Sequence, residues 1–249
     1  GASLSTGSGG QNNCQEGCAA IDVLFALDHS GSMTEEIAAI SAAQAFTGIV
    51  EALAAINCGD VDYRVGVTDD NTAAFVNSNG KPWFDSLEMS KDEIVSAFTA
   101  AAQGIGSQPT TPTGCEHVLT NATNLLVNDA SGFVRPEALL VVILLTDVDD
   151  YGYYDQDSFC GNLGLLCTTP EVAVTTNYNN LVALKNGQPE AVSAIVMAGD
   201  PGGNNLMSNN GICNQPGACN CAQDCQVYDA YKLWDFAETL GSNGVFHNL

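Results

Sequence analysis

Residues 138–147 read ALLVVILLTD: eight apolar residues in a row, then threonine and aspartate. A strand with one wet face alternates apolar and polar side chains, and this run does not. It is also far short of the roughly 20 residues that a membrane-spanning helix needs. Such a segment is a strand covered on both faces, which is the pattern of a parallel sheet packed between two layers of helices. Residues 21–28, IDVLFALD, read as a second strand of the same kind, again ending in aspartate.

The segments between the apolar runs have helical spacing. Residues 34–56 place Ile37, Ile40, Phe46, Val50 and Leu53 on one face of a single expected helix. Residues 62–68 form a strand. Residues 73–84 hold NSNGKP between AAFV and WF, a hairpin at a sheet edge. Residues 90–102 form a helix opened by a Ser90–Glu93 capping box. A Gly/Pro/Thr loop over 104–114 leads to a helix at 115–127. After the 138–147 strand, a helix is expected at 170–185, with Pro170 in its first turn. A strand follows at 191–198, and then a helix at 229–240 with Tyr231, Leu233, Trp234 and Ala237 inward. A last short strand covers 244–249. This alternation predicts an α/β fold: a doubly wound, mostly parallel open sheet with helices on both faces, Rossmann-like in plan. Residues 1–18 are a Gly/Ser-rich tail and 19–249 one domain.

Charge and cysteine content narrow the setting. Six Lys+Arg face 29 Asp+Glu, a formal net charge of −23. Such a surface repels nucleic acid and anionic lipid and favours cations. Ten cysteines, at 14, 18, 58, 115, 160, 167, 213, 219, 221 and 225, are an even set concentrated in loops at 149–169 and 199–225. They read as disulfide candidates (Cys14, Cys18, Cys58, Cys115, Cys160, Cys167, Cys213, Cys219, Cys221 and Cys225) in an oxidising compartment, hence a secreted, extracellular or cell-surface chain. The cluster CNQPGACNCAQDC lacks the paired spacing of a zinc ribbon. No secretory signal is visible, so the chain is expected to begin after processing.

Ligands of an open parallel sheet bind where the strands end. Asp28 ends one strand and Asp147 another. If the two strands are neighbours, their carboxylates converge. The first continues as DHSGSM, with Ser30 and Ser32 at alternate positions, and the loop before Cys115 carries TPTG, residues 111–114. Two carboxylates with hydroxyls make an oxygen-only donor set, suited to a hard cation such as Mg2+.

These three pieces in this order, D-x-S-x-S, T-x-T-G and a distal aspartate, resemble the metal-ion-dependent adhesion site (MIDAS) of a von Willebrand factor type A (VWA) domain. The resemblance spans about residues 21–249 and implies that fold. It implies that Ser30 and Ser32 ligate Mg2+ (or Mn2+ or Ca2+) directly and that Thr111 adds a third hydroxyl. Asp28 and Asp147 then act directly or through water, and a partner's carboxylate completes the shell. The loop departs from the family pattern by its prolines and an extra threonine, leaving Thr110 and Thr113 as alternative hydroxyl ligands. His29 is expected beside the ion. Glu35 and Glu36 read as first-turn acids on a helix dipole. By resemblance to integrin β-subunit relatives, they are also candidates for a second, calcium site.

Simpler readings compete. Ser32 and Glu35 form a capping box, and if Ser32 is drawn to a metal, Thr34 becomes the cap. Asp149, Asp150, Asp155 and Asp157 read as a solvated acidic loop, and Asp69–Asp70–Asn71 as a polar turn. Asn121-Ala-Thr123 is a glycosylation sequon inside an expected helix. Trp83 and Trp234 read as packing residues, and His117 and His247 as structural or surface ones. No G-x-S-x-G, P-loop or H-E-x-x-H motif is present, and no lysine or arginine is expected near the strand ends, so no enzyme is expected. The chain is expected to be an adhesion module that captures an acidic group of a protein or glycan through a divalent cation. The alternative is a structural subunit of an extracellular filament, assembled when the N-terminal tail of one copy adds to a sheet edge of the next and carrying the same metal site.

Overall fold

The computed structural model describes residues 19–56, 61–108, 116–150, 172–199, 201 and 230–249, apart from the side chains at 32 and 43–45. The N-terminal tail, the ten cysteines, Thr110, Thr111, Thr113, Asp155, Asp157 and Pro170 lie outside the described residues.

Six strands form one sheet: β1 (Ala20–Leu27), β2 (Asp62–Asp69), β3 (Trp83–Asp85), β4 (Leu139–Leu145), β5 (Val192–Ala198) and β6 (Gly244–Asn248). Their order is β3-β2-β1-β4-β5-β6. Every pairing is parallel except β2 with β3. Chain order therefore runs outward from β1 in one direction and then outward from β4 in the other. The reversal falls between β1 and β4, where an open sheet leaves a crevice at its strand ends. The expected doubly wound α/β sheet is the observed one.

Alternate residues of the central strands feed two cores. Leu24 and Ala26 of β1, Leu140, Val142 and Leu144 of β4, and Val192, Ala194 and Val196 of β5 pack under α4 (Val118–Asn128), α5 (Val174–Leu184) and α6 (Tyr231–Thr239). Val23, Phe25 and Leu27 of β1, with Val65 and Val67 of β2, pack under α1 (Thr34–Ile40), α2 (Ala43–Ala55) and α3 (Lys91–Gly106). Phe46 stacks on Phe98 at 3.6 Å between centroids, and Phe25 meets Phe98 edge-on at 4.8 Å. These strands lack polar alternation because neither face of the sheet is wet.

Several local expectations hold. Ser90 and Glu93 make both arms of the capping box at the start of α3. The edge hairpin turns at Asn79–Gly80, whose φ angles of 53° and 77° are those of a left-handed two-residue turn. Ser78 and Lys81 exchange two backbone hydrogen bonds across it. Gly244 is required by contact: a Cβ there would lie 1.9 Å from the Ala237 carbonyl oxygen, so α6 sits directly on the β6 backbone.

Others are corrected. The single helix expected over 34–56 is two. The Ser41 hydroxyl donates to the Ala38 carbonyl at 3.2 Å, and Ala42 is extended with ψ 123°, which stops the helical ladder before α2 restarts it. The helix expected from 115 begins at Val118. On α6 the inward residues are Lys232, Leu233, Phe236 and Ala237, while Tyr231 and Trp234 are exposed.

The run at 21–28 is interrupted by an acid that the sheet buries completely, Asp22. Its carboxylate accepts from the Arg135 backbone N–H at 2.7 Å and from Arg135 Nε at 2.8 Å. Arg135 also pairs with Asp62, and its carbonyl accepts from the buried Lys185 Nζ at 2.6 Å. This network closes the end of the sheet opposite Asp28. Removing one partner of a buried ion pair strands the other charge. Arg135→Ala is therefore expected to lower the unfolding free energy by about 3 kcal/mol or more. Urea denaturation checks it, and an unchanged midpoint would reject the role.

Candidate metal centre at the strand ends

The β1–β4 pairing continues one residue past the strands: the Asp28 N–H donates to the Leu145 carbonyl at 2.9 Å. This sets Asp28 beside Thr146. The Thr146 hydroxyl donates to Asp28 Oδ2 at 2.7 Å, and the Ser30 N–H donates to Asp28 Oδ1 at 2.7 Å. Both oxygens of the carboxylate are thus oriented, one from each side of the crevice. Asp147, one residue beyond Thr146, is 3% exposed. The two aspartates expected to converge do lie at the ends of adjacent strands.

The end of β2 adds a third carboxylate. Asp70 is fully buried, and its Oδ1 lies 2.6 Å from His29 Nδ1. Its carbonyl accepts from the His117 N–H at 3.0 Å and from the Asn121 side-chain amide, which ties β2 to the start of α4. Asp69 next to it does local work only, accepting from the Asn71 and Thr72 N–H groups and the Thr72 hydroxyl. The polar-turn reading fits Asp69 and not Asp70. The sequon is also settled: Asn121 is buried and its amide is engaged with Asp70.

Burial, and then the charge of Asp70, push the Asp28 carboxyl up to about 7, against hydrogen bonds from Thr146 and Ser30 that lower it. Buried carboxylates held this close favour either a proton or a cation among them. Among the described residues no group of three or more His, Cys, Asp and Glu side chains is arranged to hold a metal ion. A cation here would have to draw on hydroxyls as well as carboxylates. The candidate donors among the described residues, Asp28, Ser30 and Asp147, would offer oxygen alone, the set that suits Mg2+ or Ca2+.

The acids after Asp147 are not solvated. Asp149 and Asp150 are 2% and 1% exposed. Asp149 accepts from the Lys232 and Leu233 N–H groups at 2.8 and 3.1 Å and so caps α6, whose own N-cap residue is Ala230. Asp150 accepts from the Thr120 N–H at 3.0 Å and the Thr120 hydroxyl at 2.6 Å, so it caps α4. It also pairs with the buried Lys232 Nζ at 2.5 Å. Burial alone would raise the Asp150 carboxyl, but Lys232, His117 and Thr120 together hold it below the usual carboxylate value. Burial also lowers His117. Lys232 corrects the expectation that no lysine lies near the strand ends, and the Asp149–Asp150 pair corrects the solvated-loop reading.

Of the remaining expected ligands, Ser30 is buried and Ser32 lies in a 3-10 turn, Gly31–Met33, that runs into α1. Glu35 is exposed and Glu36 half-buried on the first turn of α1. Neither N-cap residue there, Ser30 or Met33, makes a side-chain cap, and Thr34 donates back to the Gly31 carbonyl at 2.8 Å, so Thr34 is not the cap; the Ser32–Glu35 box involves a side chain outside the described residues.

A model of the von Willebrand factor type A domain family matches residues 22–194. Among solved structures, one that matches is proximal thread matrix protein 1 from the mussel byssus, at a TM-score of 0.38 and 17% identity. The match covers 74% of this chain and 39% of that one, so this chain spans less than half the length of that relative. No curated protein matches.

Because Asp28 is raised from 3.8 to about 7, the metal-free fold holds its proton more tightly than the unfolded chain. That stabilising contribution is complete below about pH 3.8 and is lost as pH rises through about 7. In chelator, wild type is expected to lose thermal stability relative to Asp28→Asn across that interval and to melt below it at pH 8. Parallel melting curves at all pH values would contradict the assignment.

Proposed function

The chain belongs to the von Willebrand factor type A domain family, and from that membership we propose that it is an extracellular adhesion module that captures an acidic group of a partner through a divalent cation at the strand ends. Domains of this family are generally protein-binding modules without enzymatic activity. Among the described residues no helix is long and apolar enough to cross a membrane.

The observation that carries the reading is the buried Asp28 carboxyl, oriented by Thr146 and Ser30 and close to Asp70, with the buried Asp147 just past the end of the neighbouring strand. Ser30 and Ser32 would hold the ion directly, Thr111 (or Thr110 or Thr113) would bring a further hydroxyl, and Asp28 and Asp147 would hold it directly or through water. Once bound, Mg2+, Mn2+ or Ca2+ supplies a positive centre that is not fully neutralised by these donors. Thr146 keeps Asp28 from rotating. Asp149 and Asp150, by capping α6 and α4, fix the loop that begins with Asp147. Asp70 holds His29 at the rim.

A divalent cation also answers the charge problem. A chain of net charge −23 repels an acidic partner, so attraction has to be local. The disulfides inferred from the ten cysteines are a further part of the proposal; filament assembly through the N-terminal tail is the alternative to it, and a second cation at Glu35 and Glu36 the alternative to plain first-turn acids.

Calorimetry with Mg2+ tests the centre. Wild type is expected to bind, and the double variant Asp28→Ala, Asp147→Ala to bind at least about tenfold more weakly, the effect that follows from losing residues that position a metal's ligands. Equal affinity in the two proteins would refute the site.

A further inference from the structure

A cavity of about 460 Å³ opens between the end of β2 and the end of α3. Asp69 lines it together with Asn71, Thr72, Asn77 and Gln108, and Val76 and Ile105 give it an aliphatic side. Inside the chain Asp69 does no more than hold its own turn, and it does so through Oδ1 alone. The Asn71 N–H, the Thr72 N–H and the Thr72 hydroxyl all donate to that oxygen. No described residue donates to Oδ2. Asp69 is 9% exposed, so its charge stands at the cavity wall largely out of water.

The chain has no cation of its own to meet that charge. It has six Lys+Arg, and all six are among the described residues. Arg64, Lys81, Arg135 and Lys232 are paired with Asp85, Glu88, Asp22 and Asp150, and Lys185 is sealed beside Asp22. Lys91 opens α3, whereas the cavity lies at the other end of that helix, about 22 Å along its axis. His29, also at the wall, meets Asp70 through Nδ1 at 2.6 Å.

The wall narrows what can come from outside. A neutral ligand such as a sugar would strip water from the carboxylate and leave its charge unpaired, which is costly. A calcium ion draws on several charged oxygens, and among the described residues no three His, Cys, Asp or Glu gather to hold a metal ion. One positive side chain matches one carboxylate. A guanidinium carries five N–H donors in a plane, and the side-chain oxygens of Asp69, Asn71, Thr72, Asn77 and Gln108 are acceptors for them. Its methylene stem covers Val76 and Ile105. We propose that this cavity takes the arginine side chain of a partner protein. The net charge of −23 draws a basic partner toward it. The contact is separate from the centre at Asp28 and needs no bound cation.

The probes are nine-residue Gly/Ser peptides with arginine, lysine or citrulline, the uncharged analogue of arginine, at the centre. They are titrated into 15N-labelled protein at low salt, and the amide signals of Asn71, Thr72, Asn77 and Gln108 are followed. The arginine peptide is expected to bind about tenfold more tightly than the citrulline one, the effect of one charge-assisted pair, and to do so equally in Mg2+ and in chelator. The lysine peptide is expected to bind more weakly than the arginine one. Asp69→Asn keeps Oδ1, and with it the turn, but removes the charge. Gln108 is exposed, and Gln108→Lys brings an ammonium of the chain's own to the cavity without altering Asp69. Each variant is expected to bring the arginine-to-citrulline ratio to about one. Equal binding of arginine and citrulline by wild type, an unchanged ratio in both variants, or no binding would overturn the proposal. Lysine bound as tightly as arginine would overturn the guanidinium, and free arginine bound as tightly as the peptide would overturn the protein partner. Binding that requires Mg2+ would move the contact to the strand-end centre and overturn it. The same signals shifted at lower concentration by Ca2+ alone or by a neutral oligosaccharide would overturn it too.

Discussion

Two consecutive carboxylates hold the end of β4 to the helices on one side of the sheet. Asp149 caps α6 and Asp150 caps α4, and Lys232 neutralises the second of them inside the fold. A helix start buried without partners for its N–H groups costs free energy. Here both starts are satisfied by a loop that comes from neither helix. The loop in turn cannot shift without uncapping two helices and stranding a buried ammonium. Asp147 stands at the head of that loop, two residues before Asp149. Packing and capping on the α4–α6 side therefore help to set its position.

Asp28 is placed from the other direction. It extends β1 by one backbone bond to Leu145, and its carboxylate is aligned by Thr146 and Ser30. Two independent constraints, strand pairing and helix capping, thus meet at the point where the strand order reverses. Neither depends on a bound ion. Asp28 and Asp70 are buried near enough for the charge of one to raise the carboxyl of the other, a cost that a cation bound there would relieve.

The parts legible in the sequence are those encoded by near neighbours. The apolar runs of β1 and β4, the Ser90–Glu93 box and the Asn79–Gly80 turn each need only a few adjacent residues, and each is found as read. That Asp28 and Asp147 follow neighbouring strands was also legible, because the doubly wound plan sets such strands side by side. What could not be read were partnerships across the chain. Asp149 and Lys232 stand more than 80 residues apart, so the density of acids after Asp147 looked like a solvated loop. Asp22 and Arg135 hid in the same way inside an apolar run. Tyr231 and Trp234 looked inward by hydrophobicity, but Lys232 took that face because Asp150 needed a cation.

The engaged amide of Asn121 has a consequence for how the protein can be made. Its nitrogen is the atom to which an oligosaccharide would be attached, and in the fold that nitrogen lies inside, against the Asp70 carbonyl. Sugar transfer to such sequons occurs on the emerging chain, before any fold protects them. A chain modified there cannot bring α4 onto the end of β2, and the two strand ends that frame His29 would not close. Passage through a secretory route that carries this transferase becomes a race between folding of α4 and modification of Asn121. Replacing Thr123, itself buried in α4, with a residue that destroys the sequon but keeps its volume removes the race without touching the strand ends.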